Sequence, residues 1–106
     1  MAEITRHPWG FETTWADTKK YSSKMIVVLK GYKTPYIYHK KRDKTLFILQ
    51  GIVQLVIEGK FKTLKNGESY HIPPTIKHQI LSNEGEAIIL ETGTELADDV
   101  VVVEEK

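Results

Sequence analysis

Five short β-branched runs, each bounded by turn residues, constrain this chain to a fold built from hairpins. Met25-Ile26-Val27-Val28-Leu29, Leu46-Phe47-Ile48-Leu49, Ile52-Val53-Gln54-Leu55-Val56-Ile57, Ala87-Ile88-Ile89-Leu90 and Val100-Val101-Val102-Val103 carry residue types that suit a pleated, half-buried surface. Glu58-Gly59, Asn66-Gly67 and Asn83-Glu84-Gly85 supply turns, glycine taking positive φ at little steric cost. No long helical period is present. A chain of 106 residues, 41% of them apolar, suits one compact domain over residues 1–106. The fold class read from this pattern is all-β, a single small barrel or sandwich. Several runs are apolar on both faces, which fits either an outer face covered by a second copy, giving a homodimer, or a fully buried central strand.

Fifteen Lys and Arg against fourteen Asp and Glu leave no whole-chain field that would draw nucleic acid or a membrane surface, so any electrostatic recognition is local. With no cysteine, disulfides and thiolate metal sites are excluded. The opening Met1-Ala2-Glu3-Ile4-Thr5-Arg6 lacks the apolar run of a signal peptide, and no membrane-length apolar stretch follows, so the expected location is cytoplasmic. Residues 1–22 hold Trp9, Phe11, Trp15 and Tyr21 without a helical or strand period. They read as an aromatic arm that packs its rings on the barrel or on a partner.

Two histidines stand out. In Tyr36-Ile37-Tyr38-His39, alternation puts Ile37 and His39 on one strand face and the tyrosines on the other. Pro73-Pro74-Thr75-Ile76-Lys77 forms a rigid turn into His78-Gln79-Ile80-Leu81, again alternating. If both faces look inward, two imidazoles enter one cavity, either as the start of a metal site or as hydrogen-bonded cavity histidines. His7 and His71 read as structural or exposed. Lys33, Lys40, Lys41, Arg42 and Lys44, interleaved with Tyr32, Tyr36 and Tyr38, fall within a short span. They form either an anion-binding rim, with Arg42 as a bidentate fork, or a solvated loop that protects a sheet edge.

The Pro8-Trp9-Gly10 opening, Gly31, the Tyr38-His39-x-x-Arg42 run, Gly51, Ile72-Pro73, His78, Asn83, Glu91-x-Gly93, Leu96 and Asp98-Asp99 together resemble the cupin domain of type II mannose-6-phosphate isomerases. That domain forms the C-terminal half of bifunctional enzymes that also make GDP-mannose. The resemblance implies a single-domain cupin, a double-stranded β-helix or jelly-roll-like barrel, with isomerase activity on a phosphorylated sugar. It implies a metal site at Ile37, His39, Lys44 and His78, where the enzymes usually carry glutamine, histidine, glutamate and histidine. Only His39 and His78 match, so the site is degenerate, with no cofactor or a weakly bound divalent metal such as Zn, Mn, Fe, Co or Ni. Lys44 is expected to place its ammonium where the metal would sit, held by Glu91.

On this reading the catalytic set is His39, His78 and Lys44, and the substrate-binding set is Lys33, Tyr36, Tyr38, Lys41, Arg42 and Glu91. The expected partner is a small anionic sugar, with no nucleic acid or membrane. The alternatives are a non-catalytic cupin that binds an anionic sugar or nucleotide-sugar, and a structural dimerisation barrel.

Overall fold

Strand alternation sorts this sequence into two facing sheets, seen in a computed structural model that describes residues 2–96 and 98–103. The strands are β1 (Glu3–His7), β2 (Gly10–Asp17), β3 (Ser22–Val28), β4 (Tyr32–Lys33), β5 (Ile37–His39), β6 (Lys44–Gln50), β7 (Ile52–Ile57), β8 (Lys60–Lys65), β9 (Ser69–Ile72), β10 (His78–Ser82), β11 (Ala87–Gly93) and β12 (Val100–Val102). One sheet runs β1-β2-β3-β11-β6-β9 and the other β12-β5-β10-β7-β8, with β4 paired to β10. All pairings are antiparallel. From β6 onward the chain passes repeatedly between the sheets, the winding of a double-stranded jelly-roll barrel.

Apolar residues from the two inner faces make the core. Ile26, Val28, Leu46, Ile48, Val53, Leu55, Leu64, Ile72, Ile80, Ala87 and Ile89 form one buried cluster. In β6 the period of two is plain: Lys44, Leu46 and Ile48 are buried while Thr45, Phe47 and Leu49 are exposed. The β7–β8 hairpin turns at Glu58 and Gly59, with φ of 48° and 80°, the pair of positive values that a two-residue turn between twisted strands requires.

The N-terminal segment departs from the expectation. It forms a hairpin, β1 paired with β2 and β2 with β3, that widens the first sheet. Trp9 does pack against the core, as an aromatic anchor should. Gly10 makes the hairpin possible: at φ 148° it lies so close to the Val27 carbonyl that any Cβ would collide with it.

Candidate functional site

The two sheets leave between them a cavity of about 240 Å³, lined chiefly by apolar side chains including Trp9, Ile26, Ile37, Ile80, Val100 and Val102. The first sheet contributes Lys44 from β6 and Glu91 from β11; the second contributes His39 from β5 and His78 from β10. All four are buried. Alternation puts each on its strand's inner face, and the turn before His78 is tied down by the Thr75 N–H, which donates to the His39 carbonyl at 2.7 Å.

Lys44 is the hub. Its Nζ donates to Glu91 Oε1 at 2.9 Å and lies 3.1 Å from His39 Nε2, so one ammonium joins the two sheets. Glu91 Oε2 accepts from the Arg42 guanidinium at 2.5 Å. His39 Nδ1 lies 3.2 Å from Asp99 Oδ1, and Asp99 Oδ2 accepts the backbone N–H groups of Lys41 and Arg42, both at 2.8 Å. A carboxylate on Nδ1 puts the ring proton there, leaving the Nε2 lone pair to accept from Lys44.

His78 is held in the same way. Its Nδ1 lies 2.8 Å from the Ile76 carbonyl, which can only accept, so the proton sits on Nδ1 and Nε2 carries a lone pair. That Nε2 is buried with no hydrogen-bond partner among the described residues. The two imidazoles lie 5.9 Å apart, centroid to centroid.

Titration behaviour follows from these contacts. Burial, then the neighbouring Lys44 charge, lowers the His78 pKa to about 4. The same two causes lower that of His39, against the pull of Asp99. Burial opposes the Glu91 charge, but Lys44 and Arg42 outweigh it and hold the carboxyl below the usual range. For Asp99, burial is likewise outweighed by the N–H groups of Lys41 and Arg42, and its pKa is also lowered. Burial lowers the pKa of Lys44 while Glu91 resists, so the pair holds a charged carboxylate beside an amine that gives up its proton more readily than a surface lysine.

These residues do not fit the divalent metal that the resemblance implies. Ile37 has no donor atom, and the Lys44 ammonium already engages His39 Nε2 and Glu91 Oε1. A divalent ion about 4 Å from that ammonium would be repelled by about 8 kcal/mol at an effective dielectric near 20. Among the described residues no group of three or more His, Cys, Asp or Glu could hold a metal ion.

The expected cationic rim is dispersed. Arg42 is 1% exposed and bonds Ser22 Oγ and Glu91, a buried strut under Lys44 rather than a surface fork. Its place among lysines was read as either a bidentate fork for an anion or part of a solvated loop, but its partners come from β3 and β11. Tyr38 points away from the Ile37 and His39 face and lines no part of the cavity, and the Lys41 side chain is exposed. Lys33 and Tyr36 line an adjoining depression that shares Trp9, Thr34, Pro35 and Val102 with the cavity.

Three contributors escaped sequence reasoning. His7 stacks on Trp9 with ring centroids 4.4 Å apart and bonds Glu12 at 2.8 Å, Glu12 pairs with Lys24 at 3.3 Å, and all line the cavity. The position of Lys24 directly across from Glu91 in the β3–β11 ladder was the available signal, but it needs the strand register.

The family model of the cupin domain matches residues 23–93, and the chain belongs to that family. A curated relative, mannose-1-phosphate guanylyltransferase of Salmonella montevideo, is 31% identical over 99 residues. The match covers 90% of this chain but 21% of that protein, so the chain spans about a fifth of its length. Among solved structures, KdgF from Halomonas sp. superimposes with a TM-score of 0.82 at 16% identity, covering 91% of this chain and 88% of that one. A putative sugar phosphate isomerase from Acidithiobacillus ferrooxidans gives 0.76 at 18% identity, covering 95% and 72%. At such identities the structural matches speak for the fold.

Proposed function

We propose that this cupin binds a phosphorylated sugar and acts on it as an isomerase-like site in which the Lys44 ammonium takes the part of a metal. The observation that carries this is the convergence on one cavity of a fixed cation from the first sheet and, from the second, the His78 Nε2 lone pair that has no partner among the described residues. A base beside a cation is what aldose–ketose interconversion needs: the base takes a proton from the carbon next to the carbonyl, the cation stabilises the enediolate, and the proton returns to the neighbouring carbon. The resemblance to the cupin domain of mannose-6-phosphate isomerases makes mannose 6-phosphate the first substrate to try, and the 31% relative is itself named for a mannose phosphate. The cavity of about 240 Å³ suits the sugar, and Lys33 and Tyr36 in the adjoining depression suit its phosphate.

A second reading, binding without turnover, is favoured by the pKa of about 4 for His78, which makes it a good acceptor for a sugar hydroxyl but a weak resting base. Proton NMR in D₂O, with mannose 6-phosphate, fructose 6-phosphate and a chelator present, separates the two. Turnover or exchange of the C2 proton, lost in His78→Gln while thermal stabilisation by the sugar phosphate remains, is the expected result. Stabilisation without exchange leaves binding alone, and neither effect refutes both. We also propose that the chain works as a homodimer through the outer face of the first sheet.

A further inference from the structure

Lys44 Nζ has three valences beyond its own side-chain carbon, and two are taken by Glu91 Oε1 and His39 Nε2. Those two are its hydrogen bonds among the described residues, which leaves the third for a ligand, and Lys44 lines the cavity. Glu91 is secured independently by Arg42 through its other oxygen, so chemistry at Lys44 does not leave a buried carboxylate unpaired. His39 Nε2, with its ring proton held on Nδ1 by Asp99, lies at hydrogen-bond distance to take a proton from the ammonium. Ile37, Ile80, Val100 and Val102 supply apolar wall beside this cluster, and the other lysine that lines the cavity, Lys24, is engaged by Glu12. A buried lysine that lines a cavity with a base at hydrogen-bond distance has the environment of a carbonyl-trapping nucleophile.

We propose that Lys44 forms an imine with the aldehyde or ketone of a small substrate, the open-chain form of a phosphorylated sugar included. The inference rests on reading this cavity as the ligand site. His39 Nε2 accepts one proton from the ammonium, and the amine lone pair attacks the carbonyl carbon while the C=O π pair moves to oxygen, which takes that proton. The resulting carbinolamine loses its oxygen as water, with a second proton drawn from nitrogen, as the C=N bond forms. In total, one ammonium and one carbonyl give one protonated imine and one water. The positive charge is conserved, so Glu91 keeps its partner throughout.

Reductive trapping tests this on the unmodified protein. The chain is incubated with sodium cyanoborohydride and either mannose 6-phosphate or glyceraldehyde 3-phosphate, then peptide-mapped by mass spectrometry. The peptide containing Lys44 should gain the mass of the sugar phosphate less one oxygen, at least about tenfold faster than exposed lysines such as Lys41 and Lys60. Modification of exposed lysines with Lys44 untouched overturns the imine. Mannitol 6-phosphate, which has no carbonyl, is run alongside in thermal melts. If Lys44 is untouched yet mannitol 6-phosphate stabilises the protein, only the covalent step falls. If it gives no stabilisation either, the ligand-site reading falls with it.

Discussion

Around Lys44, two cations and one carboxylate share a space from which water is largely excluded. Arg42, Lys44 and Glu91 are each no more than 5% exposed, and the carboxylate bridges the two cations. The carboxylate holds this cluster together: removing Glu91 strands two buried cations at a cost of about 3–5 kcal/mol, whereas removing Lys44 leaves Glu91 paired with Arg42. The two neutral imidazoles set a pH dependence. His78 titrates near 4 in the folded protein and near 6.5 when unfolded, so between those values the unfolded chain binds the extra proton and folding weakens as pH falls. His39, also lowered, acts in the same direction. Glu91 and Asp99, with lowered carboxyl pKa values, add their losses at more acid pH. Urea denaturation across this range should show stability falling by about 1.4 kcal/mol per pH unit for His78 alone. In His78→Gln that share of the slope should disappear, and an unchanged slope would contradict the assignment.

At the level of strands, the outer face of the first sheet carries a second message. Phe47 and Leu49 of β6 are 38% and 49% exposed, Phe47 lies opposite Leu90 of β11, and Leu90 lies opposite Met25 of β3. A contiguous apolar row on a sheet whose other face already packs the core calls for a cover, and a second copy supplies the same row by symmetry. Sedimentation equilibrium should give twice the chain mass, with Phe47→Lys shifting it to one. A monomer at all concentrations would leave that face unexplained. The strands themselves were largely legible: β6, β7, β10 and β11 follow from alternation and turn residues. β2 was not, because a register shift between Thr14 and Ala16 breaks its period and it is fixed as a strand by pairing with β1 and β3. The inward histidines could be read from local alternation. The burial of Arg42 could not, since its anchors Ser22, Glu91 and Thr94 are remote in sequence.

Taken as a whole, the molecule is two sheets clasping a cavity, with a lysine from one sheet reaching a histidine of the other. In the proposed function that cross-sheet contact stands in for a metal, and the cation of the site is the chain's own lysine. In that reading Lys44 and a divalent metal compete for one position, with Lys44 the occupant in this chain. Calorimetric titration of Zn²⁺ and Mn²⁺, together with elemental analysis of the purified protein, tests this most directly. The parent should hold no stoichiometric metal and give no binding heat. The double variant Lys44→Glu with Ile37→Gln, which restores two oxygen donors beside His39 and His78, should bind one ion per chain. Near-stoichiometric metal in the parent, or a double variant that binds no better, would show that Lys44 does not hold the metal's position.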